Sequence, residues 1–480
     1  MSSGAESEPL PFLQALIPIA TLVIGFALGA SFLQVGSPLL VIVMLLAATV
    51  AGFQARRRGH DWDALQRCCG EKVASVLPAI LILLAIGLLI GTWVLSGTIP
   101  LMVFYGLQLV DPAFFVPTAF LATAAMSLVT GTSWGSAGTL GVALMGMATA
   151  LGAPLAATAG AVVSGAYFGD KMSPLSDSTN ICAIGAEAEL YAHIRHMVYT
   201  AGPSFLVACG VYFVLGATPE LSGSLPEQAQ QLLIEIDRTF QSRAWALIPP
   251  AVVAFGVVRR LPAAPVMGLS GLSAMLVGIL AQSFSLQDAL TSAVSGFRTS
   301  MTHSLGLAPE AYGEAFVRLL DRGGMGSMTG TLLVILAAFL FAAGLDLSGA
   351  LDTLLQSLLA GVRGAFGLVA ATMTAGALMI SLTSHGGVTA LIVGGLFQKA
   401  YRLQELAAVN LSRSLEDSVT LTEPLMPWTV SALFMATTLG VPTLEYAPWA
   451  VFCYGGPFFS LVWAALFPIT GLGLKRIPEA

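Results

Sequence analysis

The sequence contains little charge. Only 10% of its 480 residues are Asp, Glu, Lys or Arg, against about 25% in a typical soluble domain. The formal net charge is -6, which excludes the basic surface that nucleic-acid binding requires. Apolar residues make up 56% of the chain and mean hydropathy is +0.84. Because so much apolar surface must face an apolar solvent, the composition excludes a disordered chain or an ordinary soluble enzyme and predicts a polytopic membrane protein.

Several chemical signatures are also missing. The five cysteines are scattered, two of them adjacent (Cys68 and Cys69), with no CxxC or Cys/His metal pattern. They predict free thiols and no disulfide framework. The sequence has no Walker A, GxSxG or HExxH motif, which argues against an ATP-driven pump and against an enzyme. Residues 1–11 contain no Lys or Arg, so a cleavable signal peptide is not expected and the first apolar stretch should remain as a span.

Long apolar stretches divide the chain. A bilayer core needs about 20 apolar residues per crossing helix, and the sequence predicts an all-α protein with about 11 to 13 crossings in one integral membrane domain, 1–480. The candidate spans are 12–33, 38–53, 74–97, 113–130, 137–152, 155–168, 193–216, 244–260, 264–282, 329–347, 364–382, 386–400, 427–440 and 447–470.

The charged residues lie mostly between these stretches. Residues 54–72 contain five basic residues, so the positive-inside rule places this loop in the cytoplasm. Because two predicted spans precede the loop, the N-terminus should lie in the cytoplasm as well. Residues 218–243 and 283–326 are polar and amphipathic, which favours a linker between two halves and interfacial helices.

The chain has two blocks with the same order of events. An apolar helix reaches a small-residue turn at 131–135, and later a polar segment at 169–180; a second helix reaches a turn at 383–387, and later a polar segment at 412–424. From Ser127 to Asp170 is 43 positions and from Ser381 to Asp417 is 36. The order matches although the spacing differs. This pattern predicts two repeats, about 74–217 and 318–470, joined by the linker 218–243, with a site between them.

The polar segments combine helix-breaking residues with acids. Pro174 and Pro424 interrupt helical hydrogen bonding, and non-helical backbone at membrane depth is tolerated where it lines a cavity or is buried in protein. The freed carbonyls and nearby hydroxyls are the hard oxygen ligands that a dehydrated Na+ requires. Intramembrane carboxylates mark ion or proton pathways, and their burial favours the protonated form. The acids concerned are Asp170, Asp177, Glu416, Asp417 and Glu423.

Each of these signals has a structural alternative. The acids in the first segment also suit a buried hydrogen-bond network, and Glu416 and Asp417 also suit a capped loop facing water. Lys171 or Arg413 could pair with one of the carboxylates and serve only as structure. His385 is either a proton carrier or a satisfied buried histidine.

Four segments resemble the NhaC-type sodium/proton antiporter family of the ion-transporter superfamily. They are IGTWVLSGTIP at 90–100, GTSWGSAGT at 131–139, SGAYFGDKMSPLSD at 164–177 and NLSRSLEDS at 410–418. The resemblance implies an inverted-repeat fold with re-entrant hairpins and broken helices, a dimerising scaffold, and Na+ at the hairpin tips. The chain departs from the family pattern at 384–387, where SHGG replaces an acidic Asp-Gln-aromatic stretch, at Glu423, where a neutral residue is usual, and at Thr429, where Asn is usual.

The resemblance and the acids together predict a secondary-active Na+/H+ antiporter. We expect Na+ at Asp170, Asp177, Thr179 and Asn180, and no resident cofactor. The wider predicted site comprises Thr132, Ser133, Asp170, Ser173, Asp177, Ser178, Thr179, Asn180, Ser384, His385, Glu416, Asp417, Ser418 and Glu423.

Two other function classes stay open from the sequence. One is a Na+- or H+-coupled carrier of a small organic acid or amino acid, which the departures in the second half leave room for. The other is an integral-membrane enzyme or channel, disfavoured by the absence of a nucleophile–base pattern and by the two matched blocks. The expected setting is the bacterial inner membrane, with lipid and a second copy of the chain as partners.

Overall fold

The computed structural model describes residues 10–33, 36–216, 225–240, 243–307 and 312–477. Within those ranges the chain is almost entirely helical, and one antiparallel bridge joins Leu406 to Arg476. This confirms the prediction of an all-α polytopic fold.

The first half of the chain contains α1 (Phe12–Phe32), α2 (Ser37–Arg57), α3 (Trp62–Ser75), α4 (Leu77–Leu95), α5 (Thr98–Leu109), α6 (Phe115–Thr130), α7 (Ser133–Ser136), α8 (Val142–Leu151), α9 (Leu155–Met172), α10 (Asp177–Ala186), α11 (Leu190–Gly216) and α12 (Glu227–Thr239). The second half contains α13 (Ile248–Val258), α14 (Ala263–Leu280), α15 (Leu286–Ser295), α16 (Glu314–Leu320), α17 (Thr329–Leu347), α18 (Ala350–Ala360), α19 (Gly364–Thr383), α20 (Gly386–Leu403), α21 (Ala408–Leu415), α22 (Val430–Leu439), α23 (Thr443–Tyr446) and α24 (Val451–Thr470). Two π-helical turns, Ala137–Gly141 and Glu416–Thr420, follow α7 and α21.

Ten helical segments in the described residues are long and apolar enough to cross a membrane. That number is one below the predicted range, because some apolar stretches form helices of 10 to 17 residues, among them Trp245–Val258 and Val430–Leu439. Many large apolar side chains on the long helices are exposed, such as Leu206, Val214 and Leu280. Such side chains suit contact with lipid.

The predicted linker contains one clear helix. Helix α12 buries one face, including Leu232 and Ile236, as its amphipathic pattern predicts. Residues 218–224 and 241–242 of this region lie outside the described residues. The repeat boundaries remain a prediction.

Close backbone contacts fix the helices that carry the polar segments. A Cβ added at Gly169 on α9 would overlap the Leu128 backbone nitrogen on α6. A Cβ added at Gly394 on α20 would overlap the carbonyl oxygen of Gly185 on α10. Since only glycine allows such approaches, α9 packs tightly on α6, and α10 from the first half packs tightly on α20 from the second.

Candidate functional site

Two helix breaks have the same backbone design. Helix α6 ends before Gly131, which is left-handed with φ 69°, and the Thr132 hydroxyl then caps α7 by accepting the Gly135 N–H at 3.2 Å. Helix α19 ends before Ser384, which is left-handed with φ 56°, and Nδ1 of His385 caps α20 by accepting the Val388 N–H at 3.3 Å. Both breaks leave backbone N–H and C=O groups without helical partners, in each case between two apolar helices.

The likeness extends to matching hydroxyl pairs. The Thr130 and Ser136 hydroxyls lie 3.3 Å apart across the first break, and those of Thr383 and Thr389 lie 2.5 Å apart across the second. The offset from 131 to 384 is 253 positions, and the same offset relates 130 to 383 and 136 to 389.

A second pair of breaks keeps this offset. Ser176 caps α10 by accepting the Thr179 N–H at 3.4 Å, and Thr429, at 176 plus 253, caps α22 by accepting the Ala432 N–H at 3.3 Å. Position 170 plus 253 is Glu423. The counterpart of Asp170 is therefore Glu423, whereas the sequence pattern placed Asp417 there. With this correspondence, the spacing from turn to acid is the same in both blocks.

Asp170 lies at the first break. Its side chain is 7% exposed, and its Oδ2 accepts a hydrogen bond from the Ser133 hydroxyl at 2.8 Å. Helix α9 continues through Asp170 to Met172, so the interruption is shorter than the predicted segment 169–180. The Thr179 hydroxyl donates to the carbonyls of Asp170 and Lys171 at 3.2 and 3.0 Å, which satisfies the end of α9.

Glu423 occupies the matching place at the second break. A Cβ added at Gly386, the counterpart of Ser133, would lie 3.0 Å from its Oε2. The Thr429 hydroxyl donates to the Glu423 carbonyl at 2.5 Å. The second half-site therefore repeats the carboxylate of the first but has a glycine in place of the serine whose hydroxyl bonds to Asp170.

Both acids line one cavity of about 1250 Å³. Its rim includes Ser75 at the end of α3 and Arg260 between α13 and α14. The predicted site residues that line it are Thr132, Ser133, Asp170, Asp177, Ser178, His385 and Glu423. Asp177, the first residue of α10, is exposed.

The other predicted site residues do not line this cavity; they are Ser173, Thr179, Asn180, Ser384, Glu416, Asp417 and Ser418. The Asn180 amide donates to the Pro174 and Ser176 carbonyls at 3.1 and 2.7 Å, so it braces the loop before α10. Glu416 is fully buried; its Oε1 accepts from the Ser178 hydroxyl at 3.2 Å, and its Oε2 has no partner among the described residues.

Asp417 forms an ion pair with Lys171, and both side chains are fully buried. Its two carboxylate oxygens also accept from the Thr200 hydroxyl at 3.2 Å and the Ser460 hydroxyl at 2.9 Å. This arrangement matches the structural alternative left open above, in which a fixed lysine neutralises one of the acids. The pair joins α9 to the π-helical turn after α21.

Sequence reasoning missed several polar residues of the cavity, among them Tyr167 and Ser431. The Tyr167 hydroxyl is buried and has no hydrogen-bond partner in the described part of the chain. Its position three residues before Asp170 on α9 places both on one helix face, a signal that was available. Ser431 is 253 positions after Ser178, so only the correct repeat register identifies it.

The described residues contain no group of three or more His, Cys, Asp and Glu side chains that could hold a metal ion. The cavity instead offers isolated carboxylates beside hydroxyls and helix breaks, which suits a weakly bound monovalent cation or a proton. A polytopic helical protein with acids at paired helix breaks is typical of a secondary transporter.

Comparison with known proteins identifies the group. The model of a protein family described as "Na+/H+ antiporter family" matches residues 165–466 of this chain. An uncharacterized Na(+)/H(+) antiporter of Haemophilus influenzae is 43% identical over 97% of this chain and 97% of its own. The Na(+)/H(+) antiporter NhaC of Bacillus subtilis is 34% identical over 88% of this chain and 91% of its own. A malate-2H(+)/Na(+)-lactate antiporter of Bacillus subtilis is 29% identical over 92% of this chain and 91% of its own. The chain belongs to the Na+/H+ antiporter family.

Proposed function

We propose that this protein exchanges Na+ for H+ across the bacterial inner membrane by alternately loading the carboxylates of the cavity. One observation carries the proposal: Asp170, Asp177 and Glu423 line the same cavity, and among the described residues none of them forms an ion pair. Asp170 is buried, and an ionised carboxylate that is buried at membrane depth without a cation is costly. A proton or a Na+ ion removes that cost, and each excludes the other.

The exchange cycle uses this competition. Asp170 and Asp177 release protons on one side, bind Na+ with help from the hydroxyls of Thr132, Ser133 and Ser178, and reorient in the neutralised state. Glu423 supplies a second carboxylate from the other half. The cycle requires no resident cofactor and no covalent chemistry.

The test is Na+-dependent proton movement in everted vesicles. We expect Asp170→Asn and Asp177→Asn to reduce it at least tenfold, because an amide cannot alternate between proton and cation. Glu314→Gln is the matched control, since Glu314 is exposed and pairs with Arg318 away from the cavity. If Asp177→Asn keeps the wild-type rate and apparent affinity for Na+, Asp177 is not a carrier residue.

A second candidate function is exchange of a small organic acid with Na+ or H+. A cavity of about 1250 Å³ is much larger than a dehydrated Na+ needs, and Arg260 at its rim offers a partner for a carboxylate. The relative named as a malate-2H(+)/Na(+)-lactate antiporter supports this alternative. Uptake of labelled malate and lactate into proteoliposomes decides it: uptake that depends on the Na+ gradient favours the organic substrate.

The proposed orientation places the N-terminus and the cavity mouth in the cytoplasm. The rim residues Ser75 and Arg260 lie near basic segments, and Cys68 and Cys69 on α3 are partly exposed. A membrane-impermeant maleimide should label these cysteines in inverted vesicles and not in right-side-out vesicles; a Cys68→Ser, Cys69→Ser variant gives the background. We also propose that the protein is a homodimer, which cross-linking in native membranes tests.

A further inference from the structure

A second cavity, of about 440 Å³, lies at the other end of α22. The first turn of α22, including Ser431, lines the cation cavity, and the last turn, including Thr438, lines the second one. At 1.5 Å per residue these two positions are about 10 Å apart along the helix. Phe434 lies between them on the helix and stacks on Trp134 with ring centroids 4.6 Å apart.

The second cavity has two guanidinium groups. Arg322 is partly buried, and its Nη1 donates to the Val142 carbonyl at 3.5 Å. Arg298 is exposed and also lines the cavity. In the part of the chain that the structure describes, neither arginine forms an ion pair. Asp321 lines the cavity too, and its Oδ1 accepts the Thr299 N–H at 2.6 Å. The lining therefore carries one excess positive charge.

A buried hydroxyl adds a neutral donor. Thr438 is 2% exposed, and its Oγ1 has no hydrogen-bond partner among the described residues. A buried hydroxyl without a partner is costly, so a ligand that accepts its hydrogen bond is favoured. The hydroxyl of a second threonine, Thr437, also belongs to this turn, where it contacts the Thr331 hydroxyl at 3.0 Å.

Rigid backbone holds Arg322 in place. Gly323 and Gly324 follow it with φ of 81° and 82°, a conformation that favours glycine. A Cβ added at Gly323 would overlap the backbone nitrogen of Gly91 on α4. Because this turn is locked against α4, the cavity does not need to order a loop before it binds a ligand.

We propose that this second cavity binds a small oxyanion, most simply a carboxylate. A guanidinium presents parallel N–H donors that match the two oxygens of a carboxylate, and the Thr438 hydroxyl supplies a further donor. The cavity is separate from the cation cavity and stands on different residues, so this proposal does not depend on Na+/H+ exchange.

Thermal unfolding of the purified full-length protein at constant Na+ concentration tests the site. The sodium salt is chloride, acetate or phosphate. An anion that binds the folded state raises the unfolding midpoint, and we expect acetate to raise it by about 3 °C or more over chloride. Arg322→Gln should abolish the difference. Arg318→Gln is the control, because Arg318 is exposed and pairs with Glu314 outside this cavity.

Thr438→Val provides an independent check if Arg322→Gln fails to fold, since it removes the hydroxyl with little change in shape. It should reduce the acetate effect by at least half. A phosphate response in place of the acetate response would still support an oxyanion site and would assign it to phosphate groups. Equal midpoints in all three salts overturn the proposal. An acetate effect that persists in Thr438→Val also overturns the proposal, as does one that persists in Arg322→Gln if that variant folds. Such an effect would be a general salt effect, which does not depend on these side chains.

Discussion

Removing one partner of the Lys171–Asp417 ion pair should destabilise the protein more than removing both. The two side chains are fully buried, so a single replacement leaves a charge buried without its counterion. Such a change costs about 3–5 kcal/mol. We therefore expect Lys171→Met and Asp417→Asn each to lower the unfolding midpoint by about 3–5 °C, since an unfolding entropy of about 2.1 cal/mol/K per residue gives about 1 °C per kcal/mol for a chain of 480 residues.

The double variant distinguishes this reasoning from a simple packing defect. With both charges removed, no charge is left unpaired. The hydroxyls of Thr200 and Ser460 donate to different oxygens of the Asp417 carboxylate in the wild type; in the variant one of them can donate to the amide oxygen and the other can accept from the amide N–H. We expect the double variant to recover most of the stability lost by either single variant. The assay is intrinsic tryptophan fluorescence during thermal unfolding of the purified protein, with the four proteins forming a double-mutant cycle.

The exposed pair of Lys72 and Asp346 supplies the matched control. Its atoms are 2.9 Å apart, but the side chains are 23% and 51% exposed, so Asp346→Asn should cost no more than about 1 kcal/mol. The reasoning is refuted if Lys171→Met or Asp417→Asn unfolds like the wild type, or if the effects of the two single changes add in the double variant. A loss of transport in Asp417→Asn without loss of stability would instead assign Asp417 to the ion site.

Three further predictions concern the second half-site. His385→Asn should keep the helix cap to Val388 and leave the pH profile of exchange unchanged if the imidazole serves only as a cap, whereas a shifted profile would assign it to proton transfer. Ser384→Gly should raise stability by about 1 kcal/mol in thermal unfolding, because glycine adopts the left-handed conformation without strain; a fall in Na+ affinity would show that its hydroxyl is a ligand. Gly394→Leu should abolish folding or transport, judged by yield and vesicle assay, because its backbone meets that of Gly185; unchanged activity would contradict the packing described for α10 and α20.

The positions of the helix breaks were predictable because their residues act locally. Gly131, Thr132 and Pro174 disfavour a continuous helix wherever they are placed. The end of α9 was harder to predict. The helix extends three residues past Gly169 because the Thr179 hydroxyl, which follows the break, satisfies the carbonyls of Asp170 and Lys171. That contact depends on the folded loop, and local sequence does not report it.

The pairing of the two blocks was less accessible. The sequence pattern paired Ser127 with Ser381 and Asp170 with Asp417, since like residues attract an alignment. The hydrogen bonds instead pair Ser127 with Ile380, whose carbonyls accept from Gly131 and Ser384 respectively. The two blocks keep the same backbone geometry where their side chains differ. An alignment by residue identity therefore misplaces the repeat register by one position at the turn and by six positions at the acid.

The corrected register exposes a chemical asymmetry between two half-sites of similar backbone shape. In the first, a hydroxyl from Ser133 bonds to Asp170; in the second, Gly386 stands beside Glu423 and His385 provides the cap. A carboxylate that accepts a fixed hydrogen bond is held in one orientation, which suits cation binding. Glu423 has a glycine in the place of that serine and interacts instead with Ser431 at the start of α22, so the donors around the two carboxylates differ. The two half-sites therefore need not bind the same ion. A fold that repeats a site and alters one copy can provide different carboxylate environments for the two ions that an exchanger carries.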